Sequence, residues 1–296
     1  MSNSLVVATL AGLGGMLGWG LADFVAKKTI DRVGEAATLF WAQIAGLIPL
    51  LAIFAVVRDV PSVHRLDPLW LVLLGIVSAL SYLSLYAGFG KGELSLLSPV
   101  FSSHAVLVVL LSALVFGEHI TGGQWLAIVV VTGGVLAIST SFSDLASVMR
   151  SSRSGRTGGL PNVLSAAIAF AFWLVLLDKF LGPRDWLFFL IVIRTTAAVT
   201  VAVYAKVTGE TLVIPRADRD LWGYVGLIGV CDAAAFAAVS YGFSATTHTS
   251  IVAVLSSAFS VPTLLLARVF LRERMPTQQK IAAGVIVCGI ALASIH

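Results

Sequence analysis

Ten runs of about 20 predominantly apolar residues follow one another along this chain, at approximately 5–26, 36–57, 69–88, 94–116, 122–140, 161–179, 186–207, 220–242, 247–270 and 277–295. As a helix, a run of about 20 such residues crosses roughly 30 Å of hydrocarbon. The runs are continuous rather than alternating, which argues against a transmembrane β-barrel. Composition agrees: 58% of residues are hydrophobic and 11% charged, against about 25% charged in globular domains. That excludes a soluble domain, a disordered chain and a collagen, and two cysteines exclude a disulfide scaffold. A net charge of +4 would suggest nucleic acid in a soluble protein; here it belongs to the Lys and Arg of membrane loops. The expected fold is all-α and polytopic, with the lipid bilayer as partner and no nucleic acid.

The longest connection, 141–160, is rich in Ser, Gly and Arg and sits near the midpoint. It separates a first five-helix unit, 1–140, from a second, 161–296. Sliding the halves by 155 residues brings Tyr86 onto Tyr241, Ser95 onto Ser250, Ser102 onto Ser257, Glu118 onto Glu273, and Gly134 onto Gly289. Five spans are an odd number, so the second unit enters the membrane upside down. Inverted repeats around a midplane site are an architecture of secondary transporters.

Short motifs point the same way. Gly18-Trp19-Gly20 leads to Lys27-Lys28 in the first span, and Leu97-Ser98-Pro99-Val100 opens the fourth. The fourth span ends in Phe116-Gly117-Glu118, and the ninth in Leu271-Arg272-Glu273-Arg274. With the five-plus-five organisation, these make the chain resemble the EamA-like ten-helix members of the drug/metabolite transporter superfamily. The resemblance covers nearly the whole chain and implies a carrier of small metabolites, proton-coupled or facilitated, often an exporter. Arg272 stands where the first half has Gly117, and Pro99 and Pro262 occupy non-equivalent positions.

Outside Arg194, fourteen basic residues fall on the side of the linker and four on the side of the N-terminus. The positive-inside rule then places 141–160 in the cytoplasm and both termini outside, in a multi-pass plasma (inner) membrane protein. The first run lacks a basic n-region and is long enough to span, so it reads as a membrane helix rather than a cleaved signal. Cys231 and Cys288 lie inside spans and are expected to be reduced.

Charges deep in the bilayer cost at least about 2.5–3.5 kcal/mol on insertion scales and demand a reason. Arg194 and Asp232 are the two placed deep, in neighbouring spans and at similar depth. Arg194 suits a carboxylate; Asp232 suits a proton or an ammonium; a permanent ion pair between them is the alternative. His104, beside Ser102 and Ser103, is either a substrate or proton site or a neutral ring on a backbone carbonyl. Asp23 and Lys27 suit an i,i+4 pair near the cytoplasmic end of span one. Glu118 and Glu273 are expected to cap turns. Trp70, Trp125, Trp186 and Trp222 read as interfacial anchors, whereas Trp19 and Trp173 are expected to line a cavity with Tyr82 and Gln43. Pro262 predicts a kink in span nine.

The leading expectation is a secondary transporter that moves a small polar or zwitterionic, amino-acid-like solute by alternating access, with export favoured and protons as a possible coupling ion, as a monomer or homodimer. A proton-coupled exporter of lipophilic cations is the alternative, followed by an integral-membrane enzyme on lipid-linked substrates. HExxH, Walker and CxxC motifs are absent from the sequence, and no metal or cofactor is expected.

Overall fold

The computed structural model describes residues 3–57, 67–116, 122–139, 158–181, 186–245, 252, 255–273 and 277–293. Among them the secondary structure is helical, with no strands: α1 Asn3–Val33, α2 Glu35–Val57, α3 Asp67–Lys91, α4 Leu94–Ser102, α5 His104–Phe116, α6 Gly122–Ser139, α7 Leu160–Leu181, α8 Trp186–Thr208, α9 Arg219–Ala245, α10 Ser260–Phe270 and α11 Thr277–Ala293. Within the described residues, six helices are long and apolar enough to cross a bilayer: α1, α2, α3, α7, α8 and α9. Large apolar side chains point outward around the bundle, Leu10 at 64%, Leu114 at 81% and Val207 at 80% exposure. In water such a surface would drive aggregation; against lipid it is the solvated surface.

One helix end lies well beyond its apolar run. The sequence places the end of span one near residue 26, yet α1 continues through Lys27, Lys28 and Arg32 to Val33. It stops where Gly34 takes φ 81°, with Gly34 N–H donating to Ile30 O at 2.9 Å. That left-handed residue after the last turn is the usual glycine stop. Gly209 ends α8 in the same conformation, φ 77°.

The fourth run is not one helix. α4 ends at Ser102 and α5 begins at His104, and the carbonyls freed at the break are taken up locally. Ser103 N–H and Oγ both donate to Val100 O, at 3.1 and 2.6 Å, and His104 Nδ1 meets Phe101 O at 2.8 Å. A second break falls at 258–259, ahead of α10. Pro262 was expected to kink mid-span; it sits instead in the first turn of α10, where a missing N–H costs little.

Packing brings the two parts of the chain together. α1 runs along α9, α3 lies against α7 and α8, α2 contacts α8 and α9, α4 meets α10 and α7, and α6 pairs with α11. The α1–α9 contact is close because it is lined by small residues. Gly18 sits where a Cβ would come within 2.8 Å of Cys231 O and 2.9 Å of Ala235 Cβ, so backbone meets backbone as in small-residue helix pairs.

The basic end of the bundle is tied by polar contacts. Arg32 pairs with Asp218 at 2.6 Å, Lys28 donates to Tyr224 Oη at 3.4 Å, and Trp41 Nε1 donates to Leu212 O at 2.7 Å. Trp41 also packs edge-on to Trp222, centroids 4.9 Å apart. At the same end the Glu273 carboxylate accepts from the Leu94 and Ser95 amides, at 3.0 and 2.8 Å, so it caps α4 from another segment of the chain. Glu118, Arg58, Arg65 and nearly all of 141–160 lie outside the described residues.

Candidate functional site

α8 and α9 carry the deep charges into one contact. Arg194 Nη2 donates to Asp232 Oδ2, and Nη1 donates to Gln43 Oε1 on α2 at 3.0 Å. The guanidinium also lies over the Phe236 ring, 5.8 Å from its centroid. Arg194 is 4% exposed and Gln43 6%, and the Asp232 side chain is 15% exposed, so the guanidinium end of the pair is buried and the carboxylate end half-buried. Gly46 makes room for it, since a Cβ there would come within 2.6 Å of Arg194 Nη1. Breaking a buried pair by removing one partner costs about 3–5 kcal/mol, because the other charge is stranded.

Phe236, which the sequence did not single out, is the hub of an aromatic core. Trp19 from α1 and Trp173 from α7 both meet it edge-on, with centroids at 5.1 and 6.0 Å. Phe170 stacks on Trp173 at 5.2 Å and meets Tyr82 at 5.8 Å. His104 closes the cluster against Phe170 at 4.9 Å and stacks on Phe259 at 6.3 Å. The carbonyl of Phe101 can only accept, so the 2.8 Å contact fixes the proton on His104 Nδ1. Tyr82 and Tyr86 pack edge-on at 6.0 Å, on the side of the core nearest Asp23 and Asp232.

Asp23 corrects the sequence reading. Lys27 does not pair with it; Lys27 Nζ donates to Asp31 Oδ1 at 2.8 Å and to Phe89 O at 2.6 Å. The reason is register. Gly18 lies beside Cys231 and Ala235 while Lys28 reaches Tyr224, so Asp23 falls between, facing the core at 7% exposure. It lies ten residues before the end of α1, or about 15 Å at 1.5 Å per residue.

Several buried polar atoms have no hydrogen-bond partner among the described residues: Trp19 Nε1, Trp173 Nε1, Asp23 Oδ2, Arg194 Nε, and the hydroxyls of Ser95, Ser98, Ser102 and Ser260. Ser95, Ser98 and Ser102 share one face of α4. Buried polar groups are normally paired, and two of these, the Trp19 and Trp173 indole N–H groups, belong to the aromatic core around Phe236. Two apolar grooves lie elsewhere, about 440 Å³ between α2 and α8 and about 570 Å³ between α6 and α11, and neither reaches this core. No group of His, Cys, Asp or Glu suited to a metal ion occurs among the described residues. Cys231 and Cys288 are free thiols.

A bundle of long apolar helices with an apolar outer surface and charges at its ends and in its core is a multi-pass membrane protein. The model of the EamA-like transporter family matches residues 6–140 and again 157–295, and the chain belongs to that family. It is therefore a membrane transporter, of a family of carriers for small-molecule solutes rather than enzymes. One solved crystal structure shares the fold, with TM-score 0.66 and 19% identity over 97% of this chain and 96% of that one. No curated protein matches the sequence.

Proposed function

We propose that the protein is a secondary transporter that moves a small polar or zwitterionic, amino-acid-like solute by alternating access, with export favoured. The single observation that carries this is the polar and aromatic core, which joins Arg194, Asp232 and Gln43 to Trp19, Trp173, Tyr82 and His104 through Phe236 and Phe170. Paired charges inside a membrane bundle are costly and commonly mark solute or ion pathways.

The architecture behind it is ten membrane helices in two inverted repeats, 1–140 and 161–296. Three findings support that reading. The family model matches twice. The breaks at 103 and 258 are 155 residues apart, the same shift that aligns the halves. The packing also comes in matched sets, α1 on α9 with α7 on α3, and α2 on α9 with α8 on α3. Broken helices at mid-depth are where secondary transporters build their solute sites. The excess of basic residues at the linker end favours a cytoplasmic linker and external termini.

Uptake and efflux of an amino-acid panel in proteoliposomes, with and without a pH gradient, test the reading and whether protons couple to transport. Transport should fall in both Arg194→Ala and Asp232→Asn. If both variants match the wild type, the core is not the site. Recovery in the doubly exchanged Arg194→Asp/Asp232→Arg protein would make the pair a fixed clasp within the core rather than a ligand of the solute. The second reading, export of lipophilic cations, draws support from the buried Asp23 carboxylate, and is opposed by the Arg194 guanidinium over Phe236 in the same core.

A further inference from the structure

The unpartnered atoms of the core divide by chemistry. Trp19 Nε1 and Trp173 Nε1 meet no acceptor among the described residues, and an indole N–H can only donate. Asp23 Oδ2 meets no donor there, and a carboxyl group facing an ammonium accepts from it. Leaving such groups unpaired costs about 1–3 kcal/mol each, more for a charged one. Together they ask for a ligand with an acceptor at one end and a donor at the other.

Both indoles lean on the Phe236 ring, centroids at 5.1 and 6.0 Å. Asp23 follows Trp19 by one turn on the same face of α1, a rise of about 5.4 Å. The neighbouring cations already hold partners, Arg194 Nε apart. Arg194 is held by Asp232 and Gln43, and Lys27 by Asp31 and Phe89 O. What faces Asp23 electrostatically is Asp232 from α9 and Tyr82 and Tyr86 from α3, which supply no cation.

We infer that Asp23 receives the ammonium group of a zwitterionic solute while the Trp19 and Trp173 indole N–H groups receive its carboxylate, with the Phe236 ring against the rest. The Arg194–Asp232 pair stays closed beneath it. This rests on the carrier reading above and names the recognition that reading lacks. Decarboxylating the solute would leave two indole donors unanswered, and deaminating it would leave a buried carboxylate unanswered, so both ends are read.

The test is competition for amino-acid uptake in proteoliposomes by two matched series: leucine, 3-methylbutylamine and 4-methylpentanoate, and phenylalanine, 2-phenylethylamine and 3-phenylpropanoate. Wild type should prefer the zwitterion over both analogues by about 10- to 100-fold, the worth of a hydrogen bond to a charged group. Asp23→Asn should lose the preference over the acid, and Asp23→Glu should keep it. Trp19→Phe and Trp173→Phe, which retain a ring and remove the N–H, should lose the preference over the amine. These variants report on the site even if Asp23→Asn does not fold. An Asp23→Asn protein with the wild-type preference over the acid overturns the inference and leaves the carrier reading standing. A wild type that takes the amine best overturns it in favour of a cation exporter. A wild type that moves no amino acid removes both.

Discussion

Replacing Gly46 with Ala is a one-methyl probe of the buried ion pair. The new Cβ would come within 2.6 Å of Arg194 Nη1 and 2.8 Å of Gly229 O, which is about 0.6–0.8 Å short of ordinary contact at 3.4 Å. Gly229 O is backbone in the middle of α9 and cannot yield without moving the helix. The guanidinium can yield, but only by giving up its hold on Gln43 or Asp232. Overpacking of this kind costs about 1–3 kcal/mol, and a lost hydrogen bond to a charged group about 1.5–3 kcal/mol. Against this, Ala is the better helix former by about 1 kcal/mol. The expected net is a destabilisation of about 1.5–5 kcal/mol, read from unfolding in mixed micelles by tryptophan fluorescence. Gly226→Ala on α9 is the control, because a Cβ there meets nothing within 4 Å; it should be neutral or stabilising by up to about 1 kcal/mol. In an Asp232→Asn background the Gly46→Ala penalty should shrink, since the two changes share a partner. Equal stability of Gly46→Ala and Gly226→Ala would refute the reasoning, because Arg194 would then not lie against α2.

Other substitutions probe the ends and breaks of helices. Glu273→Ala should destabilise by about 1–2 kcal/mol by removing the acceptor of two amides at the start of α4, with Glu273→Gln intermediate, measured by the same unfolding titration. Arg272 is left-handed at φ 56°, a conformation that costs a side chain about 1–2 kcal/mol, so Arg272→Gly should be neutral or stabilising by up to about 1 kcal/mol once the freer unfolded chain is counted. His104→Phe keeps a ring among Phe101, Phe170 and Phe259 but leaves the Phe101 carbonyl without its donor, and should cost about 1–3 kcal/mol in that titration.

The helical membrane fold was legible because a bilayer leaves few choices: backbone in hydrocarbon must bond to itself, so long apolar runs become helices. Helix ends were less so. Lys27, Lys28 and Arg32 look like a loop by charge, yet they prolong α1 because glycine, not polarity, terminates it. The break at Ser103 was hidden for a similar reason. Pro99 advertises a disturbance, but the breaking point is set by which side chains can take up Val100 O and Phe101 O. Asp23 was misread because its partner was sought on its own helix, whereas its environment is fixed by how α1 slides along α9. Arg194 and Asp232 stood out by cost alone, and the structure joins them with Gln43. Phe236 carried no signal, since one phenylalanine among sixteen gains meaning only from the two indoles and the guanidinium that meet it.

Alternating access requires the halves to move against each other, and the α1–α9 contact is the most extensive of those that join them. A Cβ at Gly14 would lie 3.1 Å from Ala238 Cβ, near the spacing of about 3.5–4.5 Å that a disulfide spans. With Cys231 and Cys288 changed to Ser, Gly14→Cys and Ala238→Cys should form a bridge under oxidant. Counterflow of the amino acid carried by the reduced protein is the readout. The carrier account predicts that oxidation stops exchange and that reductant restores it; undiminished exchange by the fully bridged protein would contradict it.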